Sequence, residues 1–326
     1  MGSSLKKTLL IFISIIFIPF SCSCGNKNLD KKTLRLGYMP NVTHATALIG
    51  IERKIFQNKL ENVLLKPIHF VVGNNIIDAF ITNQIDVAYI GPGPFIGAIS
   101  KGIPLKLLDF ACNGGTLIVG ESIGKDSKIA VPQFGNTQDL LLRMYLEEKK
   151  LLNDVKIVAI PPQDVATTFY TMSINSACLP EPWGTVILDK ANSSDLKINI
   201  LVDEKSILDN GNYPTTILIV NSEYAKNNKD AIENFLSAHK EANNFILKNP
   251  DKAIDSIAKS ISNIAKKEIS IAIVEKSFKR CNYNVHIDLN ALKKILAYGI
   301  KAGYYKKELF NELANSCYGN CTDQKN

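Results

Sequence analysis

Residues 85–94 read IDVAYIGPGP and residues 174–183 read INSACLPEPW. Each is an apolar run stopped by a Pro-x-Pro loop. Proline has no N–H to give a ladder, so it marks where a strand ends. Gly91-Pro92-Gly93-Pro94 and Pro180-Glu181-Pro182-Trp183 therefore predict the carboxyl ends of two strands. Upstream of the first, the pattern predicts a strand over 34–38, a helix over 43–56, a strand over 63–72 and a helix over 75–82. Upstream of the second the order recurs, with a strand over 128–131, a helix over 137–150, a strand over 155–160 and a helix over 164–172.

Two β-α-β-α-β runs imply an α/β protein with mostly parallel sheets and helices on both faces. Because each run closes on its own loop, two similar lobes are expected rather than one sheet. Tyr213-Pro214-Thr215-Thr216 leads into a strand over 217–220. Beyond it the apolar spacing turns helical, as in Ile232, Phe235, Leu236 and His239, and this third reads as a return to the first lobe. Residues 33–121 and 212–326 are then lobe one and 122–211 lobe two, with chain crossings at 121–127 and 205–213 forming a hinge.

The N-terminus sets the compartment. Lys6 and Lys7 precede an apolar run over 9–20, shorter than the roughly 20 residues of a membrane-spanning helix, so 1–21 reads as a secretory signal. It meets Ser21-Cys22-Ser23-Cys24-Gly25, which is similar to a bacterial lipoprotein box, and 22–32 reads as a polar tether. Cys22, directly after the small residue that ends the run, is preferred to Cys24 as the lipid site. Export and anchoring by an N-terminal lipid are expected, facing periplasm or cell exterior.

With 326 residues and 46% hydrophobic composition, about two domains are expected. The net charge of +7 is scattered as lysines, which gives no footprint for nucleic acid. The remaining cysteines, Cys112, Cys178, Cys281, Cys317 and Cys321, contain no C-x-x-C pair, and the four histidines lack ligand spacing, so no metal site is indicated. Cys317 and Cys321 are close enough to bridge if the tail is not helical there; free thiols are the equal alternative.

Ligands of open α/β sheets collect at the carboxyl ends of strands, where unpaired helix N–H groups hold anions or carbonyl oxygens. Thr43 is expected to cap the first helix, Pro94 to sit in the first turn of another, and Asn136 or Thr137 to cap the first helix of lobe two. The candidate binding residues are Tyr38, Asn41, Thr43, His44, Tyr89, Gly91, Gly93, Asn113, Asn136, Thr137, Gln138, Glu181 and Trp183. Tyr38, Tyr89 and Trp183 would wall the pocket. Glu181 would face a backbone donor or a cationic part of the ligand. A dinucleotide-binding oxidoreductase is the remote alternative, because Gly91, Gly93 and Gly97 miss the fingerprint by one residue and Pro92 and Pro94 remove two N–H groups. Hydrolase signatures are absent from the sequence, so no catalysis and no cofactor are expected.

LGYMPNVTHA (36–45), IDVAYIGPGP, PQFGNTQD (132–139), LPEPW (179–183) and YPTTI (213–217) together resemble the ABC-importer binding proteins of the nitrate, sulfonate, taurine and bicarbonate group. That group contains relatives binding thiamine pyrimidine precursors. The resemblance implies the two-lobed periplasmic-binding-protein (type II) fold, one interlobe site, a monomer, and ABC permease subunits as partners. Between a small oxyanion or sulfonate and a neutral pyrimidine-like solute, the ligand stays open.

Overall fold

The computed structural model describes residues 32–171, 173–208, 211–266, 268–306 and 309–319. Cys22, Cys24, Cys321 and Met172 lie outside the described residues.

The chain runs β1 (Thr33–Tyr38), a 3₁₀ turn (Val42–His44), α1 (Ala45–Glu52), α2 (Ile55–Leu60), β2 (Leu64–His69), α3 (Gly73–Ile81), β3 (Val87–Ile90), α4 (Pro92–Ile99) and β4 (Leu105–Gly114). There follow β5 (Thr116–Gly120), β6 (Lys128–Val131), α5 (Thr137–Glu148), β7 (Lys156–Ala159), α6 (Val165–Tyr170), β8 (Ser176–Pro180), α7 (Trp183–Ala191), β9 (Asn199–Val202) and α8 (Glu204–Ile207). The last third is β10 (Pro214–Asn221), α9 (Ser222–Asn227), α10 (Lys229–Lys248), α11 (Pro250–Ala265), α12 (Ile271–Phe278), β11 (Cys281–Asn282), α13 (Leu289–Lys301) and α14 (Leu309–Asn315).

Two sheets result, ordered β11-β4-β10-β3-β1-β2 and β7-β6-β8-β5-β9. The expected parallel pairings form the triplets β2-β1-β3 and β7-β6-β8. The strands that carry the chain into each sheet run the other way: β10 lies antiparallel to β3 and β4, and β5 antiparallel to β8 and β9. Each sheet therefore keeps most of its strands in one direction, as expected, and adds antiparallel pairings around the parallel triplet. Residues 116–120 belong to the second sheet, not to the first lobe where 33–121 had placed them. The chain passes between sheets at Gly114–Gly115, ahead of 121–127, and returns between Val202 and Pro214.

Strand alternation explains the unbroken apolar runs, since helices cover both faces. Val87 and Tyr89 join Leu34, Leu36 and Phe235 in one core, while Ala88 and Ile90 join Ile76, Phe95 and Ile295 in another. In the second sheet Leu117 and Leu179 face one core, Ile118 and Cys178 the other. The single helix expected over 43–56 is broken at Lys54, which is left-handed with φ 58°. This break folds Phe56 back on Gly50, where a Cβ would stand 2.1 Å from the Phe56 ring. Cys317 is disulfide-bonded.

Candidate functional site

A cavity of about 220 Å³ lies where the carboxyl ends of strands from both sheets meet. Of the predicted residues it is lined by Asn41, Thr43, His44 and Gly91 from the first-sheet body and by Asn136, Thr137, Gln138 and Trp183 from the second. Among the described residues, no Asp, Glu, Lys or Arg lines it.

On the first-sheet side the cap is Asn41, not Thr43. The Asn41 Oδ1 accepts from the His44 N–H (3.1 Å) and from Thr43 Oγ1 (2.9 Å), and Thr216 Oγ1 lies 3.2 Å from Thr43 Oγ1. His44 Nδ1 accepts from the Met39 N–H at 3.2 Å, so the geometry assigns its proton to Nε2. Burial holds this imidazole down at about 3, and it is neutral at any physiological pH. Pro92 is the first residue of α4 and Gly91 its N-cap, so Pro94 falls third, in the first turn as expected, where an N–H is still not needed.

On the second-sheet side Asn136 caps α5, its Oδ1 accepting from the Asp139 N–H at 2.9 Å. Gln138 Nε2 reaches Thr116 Oγ1 at 3.3 Å. Behind the cap, the buried Asp139 carboxylate accepts from the Gly135 N–H (2.8 Å), Arg143 Nε (2.8 Å) and Tyr304 OH (2.7 Å).

Five predicted residues do not line the cavity. Tyr38 and Tyr89 point with the core side of β1 and β3, as alternation demands once both faces are covered. The Tyr89 OH lies 2.8 Å from His239 Nδ1, and His239 Nε2 lies 3.2 Å from the Phe110 carbonyl, so each polar atom is used inside the core. Gly93 packs on the second-sheet body: a Cβ there would stand 2.9 Å from the backbone of Gly135, Asn136 and Thr137. Asn113 Nδ2 donates to Asn212 Oδ1 at 2.9 Å, beside the passage into β10. Glu181 is fully buried and engaged by Arg280, Thr185 and Ser277. Conversely, His69 and Phe70 line the cavity unpredicted, although His69 ends β2, Phe70 follows it and both obey the same strand-end rule. Ile264 and Ala265, at the end of α11, carried no local signal.

The profile of the NMT1-like family matches residues 27–262. The chain belongs to the NMT1-like family. This NMT1-like chain is 22% identical, over 288 residues covering 81% of each sequence, to a Bacillus subtilis (strain 168) protein named for aliphatic sulfonate binding. It is 23% identical over 292 residues (83% of this chain, 82% of the relative) to a 4-amino-5-hydroxymethyl-2-methylpyrimidine phosphate synthase of Saccharomyces cerevisiae (strain ATCC 204508 / S288c). Among solved structures it resembles the alkanesulfonate-binding protein SsuA from Xanthomonas axonopodis pv. citri bound to MOPS, with TM-score 0.74, 15% identity, and 88% of this chain and 98% of that one covered. A Candida albicans protein with the generic periplasmic binding protein structural fold gives TM-score 0.67 at 13% identity, covering 87% of this chain and 95% of that one. The NMT1-like chain thus has the periplasmic-binding-protein fold that the resemblance implied.

Proposed function

We propose that this chain is an exported, lipid-anchored solute-binding protein that captures a small solute between its two bodies and passes it unaltered to the permease of an ABC importer. The observation that carries this reading is the cavity itself, built from strand ends of both sheets and lined by neutral hydrogen-bonding groups of each. Closure about the two chain passages would bring both sets onto one solute.

The names of the relatives support an oxyanion of the sulfonate or nitrate type as ligand. Thr137 and Gln138 open α5, so their backbone N–H groups have no intrahelical acceptor and carry the positive end of the helix dipole. The Nε2–H of His44 adds a neutral donor. A second reading, a neutral pyrimidine-like solute, is favoured by the walls: Phe70 and Trp183 flank the cavity and no charged side chain lines it among the described residues.

Equilibrium dialysis of the mature protein against a pool containing taurine, methanesulfonate, nitrate and hydroxymethylpyrimidine tests both. Saturable retention of one unaltered compound supports capture, and the compound retained selects the ligand reading. Turnover of a compound, or retention of none, sinks the function. Mass spectrometry of the N-terminal peptide tests the anchor: diacylated Cys22 is expected, lipid on Cys24 would move the site, and a mature terminus lacking both cysteines would end the anchoring claim.

A further inference from the structure

Glu181 sits in the loop between β8 and α7, on the second-sheet body, yet most of its partners belong to the first. Its carbonyl accepts from the Val42 N–H at 2.9 Å, between the cavity residues Asn41 and Thr43. Its carboxylate meets Arg280 Nη1 at 3.0 Å and accepts from Ser277 Oγ at 3.2 Å; Ser277 lies on α12 and Arg280 just after it. α12 places Ile273 and Val274 in the first-sheet core and packs on α11 and the 42–44 turn, while also touching α7 of the second-sheet body. Of the remaining bonds, the Glu181 N–H donates to the Gly115 carbonyl at 2.9 Å, and Thr185 gives its N–H (3.1 Å) and its hydroxyl (2.8 Å) to the same carboxylate.

Arg280 is anchored from the other direction. Its carbonyl accepts from the Gly115 N–H at 2.9 Å, where the chain passes between sheets. Its guanidinium also lies 3.8 Å from Glu204, beside the returning passage. Gly114 is left-handed, with φ +72°, and a Cβ there would stand 2.8 Å from the Arg280 carbonyl oxygen and 3.1 Å from that of Gly211. One residue therefore touches both chain passages, the first through its carbonyl and the second through its guanidinium, and also the loop whose neighbours Pro180 and Trp183 line the cavity.

A fully buried carboxylate is costly unless paired and hydrogen-bonded, and removing one partner leaves the other charge stranded. Such a pair stabilises weakly but fixes geometry, because any displacement of one body against the other strips the carboxylate of its donors.

We propose that Glu181 is a positioning residue, a clasp with Arg280 as its countercharge, that holds the Asn41–His44 wall of the cavity in register with the second-sheet body. Neither residue touches the solute. A clasp has this role only if the two bodies capture a solute between them, so it rests on the reading above.

Amide hydrogen exchange of the mature, solute-free protein tests it without any ligand, which keeps its failure separate from failure of the capture reading. Glu181→Gln and Arg280→Gln are expected to speed exchange over residues 41–45 roughly tenfold, the factor that corresponds to about 1.4 kcal/mol. Arg280→Lys, which keeps the charge but loses the planar fork, should fall between them and the wild type. Melting curves establish that each variant is folded at the assay temperature; if the glutamine variants are not, Arg280→Lys carries the test. Faster exchange confined to residues 181–185 and 276–281, with 41–45 unchanged, would show a merely local structural pair and overturn the proposal.

Discussion

The backbone N–H of Gly93 donates to Oγ1 of Thr137 across the junction of the two sheet bodies, at 3.3 Å. Gly91 lies against the same hydroxyl, where a Cβ would stand 2.3 Å away. The start of α4 and the start of α5 can meet at the cavity only because these residues lack side chains. At Gly93 the obstruction is backbone, which cannot swing aside. Gly93→Ala is expected to cost about 1–3 kcal/mol, the usual range for overpacking. Because the contact spans both bodies, the loss should appear in calorimetric affinity for the solute retained in dialysis, as roughly tenfold to hundredfold weaker binding.

Thr137→Ala removes the acceptor of that buried N–H and is expected to weaken binding by about 1–3 kcal/mol. Thr137→Ser keeps the hydroxyl and should restore most of it. Asn221→Ala is the control: it deletes the cap of α9, away from the cavity, and should lower stability by about 1 kcal/mol whether or not solute is present. Comparing melting temperatures with and without solute separates the two. Equal affinity in Thr137→Ala and the wild type would remove Thr137 from the site.

Acid should destabilise the protein through His44. An unfolded imidazole titrates near 6.5, whereas burial holds folded His44 at about 3. As pH falls through 6.5 the unfolded chain takes up a proton that the folded one refuses, so stability drops until about pH 3, by a few kcal/mol in all. His239, also lowered by burial, acts in the same sense. Glu181, raised by burial against the pull of Arg280, acts oppositely above 4.5. Urea titrations of wild type and His44→Gln at several pH values isolate the contribution: the wild type should lose more stability on acidification than the variant.

Trp183 is the single tryptophan and is half-buried at the cavity wall, so its emission reports the site. Solute capture and closure should dry its surroundings and shift emission to shorter wavelength saturably. An unchanged spectrum on saturation, with full affinity retained in Trp183→Phe, would take the β8–α7 loop out of the site.

Much of this architecture was legible locally. IDVAYIGPGP and INSACLPEPW each placed a strand and its end, because a proline inside a sheet cannot donate to the ladder; Pro67 is tolerated within β2 because that strand lies at the sheet edge. The rule that solutes gather at strand carboxyl ends then brought Asn41, Thr43, His44, Asn136, Thr137, Gln138 and Trp183 to one cavity. Helix starts were legible to within a residue or two, since several capping residues compete at each and only backbone angles choose, as Asn41 over Thr43 shows.

What the tertiary structure alone decided involves residues far apart in the chain. An alternating strand shows which residues share a face but not which face meets a core when both are covered, so Tyr38 and Tyr89 looked equally suited to a pocket wall. Residues 116–120 carry an apolar pattern compatible with either sheet; antiparallel pairing with β8 and β9 assigned them to the second. Glu181 was expected to face a backbone donor or a cationic part of the ligand, and its carboxylate does accept from the Thr185 N–H. Its countercharge lies 99 residues away, and folding brings the two together through the return of the last third to the first sheet.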